Sequence, residues 1–396
     1  MSAKARKPTL IKPPSAPNLG PGGRKFGISV MPLHFQSPLD TGQIPPQPWR
    51  DLPPPTGQPP FRLGVESVVP ADVIQRINSS GKMVFHMVGD TGGINETSDE
   101  ENVASYMEQD FSSNAMESNP AFYYHLGDVV YYEGEGMNYY AQFYEPYNRY
   151  PAPILAIPGN HDGDVDPTTG ETSLEAFVRN FCAQVPIHSP DAKDATRDAM
   201  TQPNVYWTLQ TPLLTIIGLY SNCPEGGQLS ADQMSWFASE LQAAPTDKAL
   251  IVAVHHPIYS AYGAHPGSQP LKDLFERTCA NANRVPDAVF TGHVHNYQRF
   301  NGQLCGKPVP FFVVGAGGYN KRLHVLAQPF HDGQPPFEMP GSVGTLESFC
   351  DQSHGYMRVD VTKGKITCNY FAVPDPSVPQ GKPLAPFDTL EIPFSA

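Results

Sequence analysis

Five short segments of the sequence carry carboxylate, imidazole, amide and phenol side chains, the groups that bind metal ions in proteins. They are GDTGG (89–93), GDVVYY (127–132), GNHD (159–162), VHHP (254–257) and GHVHNYQR (292–299). One such segment alone has little weight, because Asp-Gly pairs are common in turns and a single His-x-His is often incidental. Five segments of this type in one chain predict a metal-dependent catalytic site.

Each of the five segments follows an apolar run that is typical of a short strand. The runs are MVFHMVG (83–89), FYYHLG (122–127), PILAIPGN (153–160), ALIVAV (249–254) and DAVFTG (287–292). Helical spacing appears between them, in 101–111, 138–147, 174–181 and 270–280. The alternation predicts an α/β domain with its sheets covered by helices. Loops at the carboxyl ends of strands are where such domains build their sites.

The number and types of these side chains suit two adjacent metal ions. The candidate ligands are Asp90, Asp128, Tyr131, Asn160, His255, His293 and His295. A single catalytic zinc takes only three protein ligands. With one shared carboxylate, this set would form two four-ligand sites and leave positions open for water and substrate.

The order GD…GD…GNH…H…GHxH resembles that of the calcineurin-like metallophosphoesterases, over roughly residues 83–318. Most of that superfamily has a metal-binding histidine two residues after the first aspartate, where this chain has Gly92. GDTGG and GDVVY instead resemble the purple acid phosphatase branch, in which a tyrosine at the position of Tyr131 replaces that histidine. The resemblance implies a metallophosphoesterase-like β-sandwich flanked by helices (αββα).

The resemblance also implies which residues bind each metal. The first metal would take Asp90, Asp128, Tyr131 and His295, and the second would take Asp128 as the bridge, Asn160, His255 and His293. Two carboxylates and a phenolate form a hard site suited to Fe(III), and the softer second site suits Zn(II), Fe(II) or Mn(II). If Tyr132 or neither tyrosine is a ligand, a generic dimetal site remains.

Three further residues receive catalytic or substrate-binding roles from the resemblance. His161, beside Asn160, would contact the phosphate, and Asp162 would orient His161 through a carboxylate–imidazole hydrogen bond. His265 stands where plant-like members place a substrate-facing histidine. Either His161 or His265 would protonate the leaving group. Supporting or packing roles are expected for Tyr132, His256, Tyr297 and Arg299.

The implied activity is hydrolysis of phosphate esters, with metal-bound hydroxide attacking in line with the leaving group. A phosphomonoesterase resembling acid phosphatases is favoured. A phosphodiesterase acting on cyclic nucleotides or phospholipid head groups is the alternative, because the same metals serve both reactions. The third reading is a binding protein that uses a Pro-rich segment for recognition, which the complete set of candidate ligands disfavours.

Proline and charge divide the 396-residue chain near residue 60. Residues 1–60 hold 15 of the 44 prolines and a net charge of +5, whereas the whole chain carries −13. Dense proline excludes helix and central strand. We therefore expect an extended arm over 1–60, and one catalytic domain over 61–396. The arm would be a disordered tail, or would lie on the body or on a second subunit of a homo-oligomer.

Composition also limits the partners of the protein. The acidic net charge argues against nucleic acid as the main partner, and no apolar stretch is long enough to span a membrane. A small phosphorylated substrate is expected. Because no apolar stretch follows the basic opening residues, we see no signal peptide and expect a cytoplasmic protein, unless it is exported by another route.

Two features of the sequence do not point to one role. The segment 321–354 is long for a loop and could cap the site, with Phe330, His331, Phe337 and Phe349 lining a pocket or packing. The six cysteines form no CxxC pair, so we expect mostly reduced, buried thiols, although exported protein could hold a disulfide.

Overall fold

The structure is a computed structural model that describes residues 50–93, 97–166, 168–221, 227–319, 323–339, 344–378 and 384–394. Its strands are β1 (Arg62–Gly64), β2 (Lys82–Val88), β3 (Tyr123–His125), β4 (Ile154–Ala156), β5 (Trp207–Gln210), β6 (Leu214–Leu219), β7 (Ala249–Val254), β8 (Ala288–Thr291), β9 (Tyr297–Leu304), β10 (Lys307–Val314), β11 (Phe337–Glu338), β12 (Thr345–Cys350), β13 (Gly355–Thr362), β14 (Lys365–Ala372) and β15 (Asp388–Pro393). Its α-helices are α1 (Ala71–Ser80), α2 (Ser98–Glu108), α3 (Asn160–Gly163), α4 (Glu175–Phe181), α5 (Ala231–Ala243), α6 (Gln269–Ala282) and α7 (Gln328–His331).

The described strands form two sheets. One has nine strands in the order β1-β5-β6-β7-β8-β10-β9-β12-β11, and the other has six in the order β15-β14-β13-β2-β3-β4. The strands that precede the five polar segments are parallel to their neighbours, with β2, β3 and β4 in one sheet and β7 and β8 in the other. Parallel strands present their carboxyl ends at one edge, so each sheet gathers its polar loops there.

Two apolar clusters hold the layers together. On β7, Ile251 belongs to the cluster that also contains Phe85 of β2, whereas Leu250 and Val252 belong to a second cluster with Phe237 of α5. Successive side chains of a strand point to opposite faces of its sheet. The nine-stranded sheet is therefore covered on one face by the six-stranded sheet and on the other by helices. This arrangement confirms the predicted sandwich of two sheets flanked by helices.

The last part of the predicted arm contacts the body. Residues 50–61 contain no helix or strand. The guanidinium of Arg50 donates to the carbonyl of Gly163 at 2.6 Å and pairs with Asp164 at 2.8 Å. The backbone N–H of Gly57 donates to the carbonyl of Pro203 at 2.8 Å. Residues 1–49 of the arm lie outside the described residues.

The structure corrects two expectations about local structure. The expected helix over 138–147 is a 3₁₀ turn (Gly136–Asn138) followed by a π-helical turn (Tyr140–Tyr144). The Gln142 side chain of this turn hydrogen-bonds the Tyr131 backbone.

The segment 321–354 is not one long loop, because β12 pairs with β9 and β11 pairs with β12, which extends the nine-stranded sheet. Its aromatic side chains pack on one another: Phe330, His331, Phe337 and Phe349. Residues 321, 322 and 340–343 of that segment lie outside the described part.

The described cysteines are free thiols, as the sequence predicts. Four are buried and Cys305 is exposed, while Cys223 falls outside the described residues. Burial raises the pKa of the Cys182 and Cys279 thiols, that of Cys279 to about 12.

In the described part of the chain, no helix is both long and apolar enough to cross a membrane.

Candidate metal centre

The seven candidate ligands lie where the carboxyl ends of strands from both sheets meet. Asp90 and Asp128 come from the loops after β2 and β3, Asn160 begins α3 after β4, and His255 and His293 come from the loops after β7 and β8. Tyr131 and His295 follow within the same loops. Three of them, Asp90, Asp128 and His293, have positive φ angles of 58°, 53° and 67°. Such strained backbone in non-glycine residues is often found at functional sites.

The first group of ligand atoms surrounds the Asp128 carboxylate. Ligand atoms of Asp128, His255 and His293 lie within 4.8 Å of one another. The Nε2 atom of His255 is 3.1 Å from Asp128 Oδ2, and His293 Nδ1 is 2.9 Å from Asn160 Oδ1. These four side chains are the ones that the sequence assigns to the second metal.

The second group surrounds the phenol oxygen of Tyr131. This oxygen lies 3.3 Å from Asp128 Oδ2, 3.4 Å from Asp90 Oδ1 and 3.4 Å from His295 Nε2. The His295 Nε2 atom is in turn 3.5 Å from Asp90 Oδ1. Asp128 is the residue common to both groups, which is the position of a bridging ligand.

The donors fit a pair of cations. His255 Nε2 is buried and makes no hydrogen bond with any described residue, although the Asp128 carboxylate is 3.1 Å away. Buried polar atoms in proteins normally form hydrogen bonds. A His255 Nε2 atom that lies close to the Asp128 carboxylate without a well-aligned hydrogen bond is therefore what we expect if both side chains bind the same ion. The oxygen and imidazole donors are those that iron, zinc and manganese take.

The electrostatics of the site also favour a bound cation. Burial, with the charge of Asp128 added, raises the pKa of the Asp90 carboxyl well above its usual range. Burial and the two carboxylates raise the pKa of the Tyr131 phenol in the same way. Burial lowers the pKa of His255, but the Asp128 carboxylate outweighs it and raises the pKa to about 9. A cation among these groups would reverse the direction for all three by favouring their deprotonated, ligating forms.

Gly92 is required by the packing of the tyrosine. An added Cβ at Gly92 would lie 2.5 Å from Gln142 Oε1, 2.8 Å from the Val129 carbonyl oxygen and 3.2 Å from Tyr131 Cδ2. Gln142 accepts from the backbone N–H of Tyr131 at 2.8 Å and donates to its carbonyl at 3.1 Å. The Gln142 side chain, which comes from the π-helical turn and hydrogen-bonds the Tyr131 backbone, therefore occupies the space that a side chain at residue 92 would need.

The predicted contact between Asp162 and His161 is wrong. The Asp162 carboxylate accepts from the backbone N–H groups of Gly159 (2.8 Å), Val129 (3.0 Å) and Val130 (3.3 Å). A carboxylate in the first turn of α3 can accept from the backbone N–H at the start of that helix, here that of Gly159. The N–H groups of Val129 and Val130 come from the loop after β3. His161 Nδ1 instead lies 2.7 Å from the Tyr132 carbonyl oxygen. Asp162 thus holds the second and third polar loops together.

Two of the outer histidines flank the ligand histidines. The ring of His265 is 4.8 Å from that of His293, so the structure brings this predicted residue to the site. The ring of His324 stacks on that of His295, with centroids 4.2 Å apart. The sequence reasoning missed His324, which lies in the 321–354 segment. Only its residue type and the proximity of that segment to the final polar motif could have singled it out.

The expected supporting residues have distinct surroundings. His256 Nδ1 lies 2.9 Å from the Ser221 hydroxyl. The phenol of Tyr297 and the guanidinium of Arg299 both contact Asp388 of β15 at 2.6 Å, which confirms their structural role. Tyr132 does not pack as expected: it is 45% exposed, with its hydroxyl 3.3 Å from that of Tyr319.

Comparisons with known proteins place the chain among phosphoesterases. Residues 83–297 match the model of the calcineurin-like phosphoesterase family. Purple acid phosphatase 21 of Arabidopsis thaliana is 26% identical over 220 residues, which are 54% of this chain and 44% of the relative. The Fe(3+)-Zn(2+) purple acid phosphatase 12 of the same plant is 24% identical over 230 residues, 56% of this chain and 44% of the relative.

A solved structure shows the same fold. A purple acid phosphatase from yellow lupin (Lupinus luteus) seeds superposes with a TM-score of 0.55 and 16% identity, covering 79% of this chain and 54% of that chain. The present chain therefore spans less than half the length of those two curated relatives, and about half of the lupin protein.

Proposed function

Because the chain belongs to the calcineurin-like phosphoesterase family, we propose that it is a dimetal phosphomonoesterase of the purple acid phosphatase type. One observation carries the proposal. The Tyr131 phenol oxygen lies between the Asp90 and Asp128 carboxylates, while Asp128 also faces His255. One carboxylate shared by two sets of ligand atoms suits a two-metal phosphoester hydrolase.

We assign the first metal position to Asp90, Asp128, Tyr131 and His295, and the second to Asp128, Asn160, His255 and His293. Two carboxylates and a phenolate favour Fe(III) in the first position, and the imidazoles and amide favour Zn(II), Fe(II) or Mn(II) in the second. The name of the Fe(3+)-Zn(2+) relative supports this choice. Bound metals would supply Lewis acidity, which activates water and neutralises charge on the phosphate.

The chain's own residues would orient the substrate and handle its proton. The Nδ1 of His161 faces the Tyr132 carbonyl, which can only accept, so Nδ1 carries the hydrogen. Nε2 is therefore the atom that exchanges a proton, and we assign it the protonation of the leaving oxygen. The His161 backbone N–H donates to Asp128 Oδ1 at 2.9 Å, which holds this loop at the metal position. Asn160 and His265 would complete the substrate-binding set.

Two chromogenic substrates test the proposal. Protein reconstituted with Fe(III) and Zn(II) should hydrolyse p-nitrophenyl phosphate with a higher kcat/KM than bis-p-nitrophenyl phosphate. The reverse preference would make the chain a phosphodiesterase. No turnover of either substrate by fully metal-loaded protein would contradict the enzymatic proposal.

We propose separately that residues 1–49 serve assembly and not catalysis. The support is positional: every proposed metal-binding, substrate-binding and catalytic residue lies at Asp90 or later in the chain, and Arg50 contacts Gly163 and Asp164 on the body. Protein lacking 1–49 should retain turnover and lose any oligomer that the full chain forms. Loss of turnover in a folded monomer would assign the arm to the site instead.

A further inference from the structure

His324 lies in the wall of the metal centre, although no motif of the family includes it. Its ring stacks nearly parallel on His295, at 4.2 Å and 12°, and on Tyr262 from the other side, at 4.4 Å and 8°. It also stacks on His265, at 5.0 Å and 20°. Outer histidines therefore lie beside both candidate ligand histidines of the last motif: His256 and His265 beside His293, and His324 beside His295.

Hydrogen bonds fix both the position and the tautomer of His324. Its backbone N–H donates to the His295 carbonyl at 2.9 Å, and its own carbonyl accepts from Asn296 Nδ2 at 2.6 Å. Its Nδ1 accepts from the backbone N–H of His295 at 3.0 Å. An imidazole nitrogen that accepts carries no hydrogen, so the hydrogen of the neutral ring must be on Nε2.

The Nε2–H of His324 is an unused donor. It has no hydrogen-bond partner among the described residues, and the residue as a whole is half-buried. Nδ1 faces the backbone of His295, so Nε2 lies at the far end of the ring. The rings of His324 and His295 are stacked in parallel, and His295 directs its own Nε2 towards Asp90.

We propose that His324 is a further substrate-binding residue, whose Nε2–H donates a hydrogen bond to a phosphate oxygen held at the metal centre. The inference rests on the proposed function, because it presumes a phosphoryl group at these ligands. A donor held between two stacked rings loses little conformational freedom on binding, which favours affinity. A phosphomonoester offers more non-bridging oxygens than a diester, so a further donor suits the monoester.

Isosteric variants separate this role from support of His295. In His324→Asn, the amide oxygen can replace Nδ1 as acceptor for the His295 N–H, while the outer donor is removed. In His324→Gln, the amide nitrogen can reach the position of Nε2. His188→Asn is the matched control, because it makes the same change at an exposed histidine whose contacts lie outside the site.

The readouts are the Kd of inorganic phosphate by calorimetry on metal-loaded protein, the metal content, and KM and kcat for p-nitrophenyl phosphate. A hydrogen bond to a charged oxygen predicts that His324→Asn raises the phosphate Kd and KM about tenfold to a hundredfold. His324→Gln should raise them less, and His188→Asn should leave them unchanged. Metal content should equal that of the parent protein in all three.

An unchanged phosphate Kd in His324→Asn would overturn the inference. Loss of metal in that variant would also overturn it, because it would mean that His324 supports His295 and does not bind phosphate. Greater weakening by His324→Gln than by His324→Asn would also overturn it. Phosphate binding is measured without turnover. A parent protein that binds phosphate but hydrolyses nothing would therefore refute the proposed function while the comparison of variants still decides the role of His324.

Discussion

The ring of Tyr131 lies against Gly92, 3.2 Å from where a Cβ of residue 92 would be. The Gln142 side chain, which hydrogen-bonds the Tyr131 backbone, lies nearer still at 2.5 Å, so a side chain at residue 92 conflicts with the present packing around Tyr131. In the proposed site, the glycine of the first motif and the tyrosine of the second would thus be coupled by packing. The phenol would then set the character of the first metal position.

Replacing Tyr131 by Phe should abolish any visible colour of the iron-loaded protein. A phenolate on Fe(III) absorbs visible light by charge transfer, whereas phenylalanine offers no oxygen. We expect weaker iron retention and lower kcat, with the second metal position kept. Visible absorption and iron content of the variant are the measurements.

Tyr132→Phe is the matched control for this experiment. Among the described residues, the hydrogen-bond partner of the Tyr132 hydroxyl is that of Tyr319, so this variant should keep its colour. Loss of the band in Tyr132→Phe with retention in Tyr131→Phe would exchange the two assignments.

Gly92→Ala should destabilise the protein. The new Cβ would be 2.5 Å from Gln142 Oε1 and 2.8 Å from the Val129 carbonyl, and overpacking of this kind costs about 1–3 kcal/mol of unfolding free energy. Thermal unfolding followed by circular dichroism is the measurement. Gly263→Ala is the control, because no atom lies within 4 Å of its added Cβ. Equal melting temperatures for both variants would show that the Gly92 loop relaxes freely.

Glu100 should make stability depend on pH. Burial raises the pKa of this carboxyl well above its usual value, so the folded state keeps a proton that the unfolded chain loses above about pH 4.5. Stability from this group is complete below that pH and is lost as the pH rises towards the folded pKa. Glu100→Gln removes the titration and can still accept from the Gly93 N–H, which lies 3.3 Å from the carboxylate.

The melting temperature of Glu100→Gln should therefore exceed that of the parent protein by a margin that grows from about pH 5 to about pH 8. Calorimetric scans of both proteins across that range test the sign. A margin that shrinks as the pH rises would mean that Glu100 is ionised in the folded protein.

The strand ends were predictable because each combines an apolar run with a polar turn, and both signals are local in sequence. The sequence places Asp90, Asp128 and Asn160 in loops after consecutive strands, and parallel pairing brings those loops together. Structural roles for Tyr297 and Arg299 were favoured because both directly follow the last candidate ligands; the strand β9 that contains them was not predicted.

Other features depend on contacts that no local pattern records. His324 meets His295 across 29 residues through a backbone N–H. Although β9 and β10 lie between them, the stretch 315–323 after β10 has no sequence periodicity that fixes where His324 lies. The Asp162 carboxylate accepts hydrogen bonds from backbone N–H groups of the loop after β3, about thirty residues away in sequence. A sequence motif consists of side chains and does not indicate which backbone donors will lie nearby. The strand β12 was hidden because its pairing with β9 contains a bulge between Leu346 and Ser348.

The most direct test of a shared dimetal centre is to count the metal ions bound per chain in the parent protein and in Asp128→Ala. Inductively coupled plasma mass spectrometry gives this number. We predict two ions in the parent and loss of both in the variant, since Asp128 lies in both groups of ligand atoms. Asp388→Asn, at a half-buried aspartate that pairs with Arg299, should retain both. One ion in the parent, or two ions and full turnover in Asp128→Ala, would contradict the account.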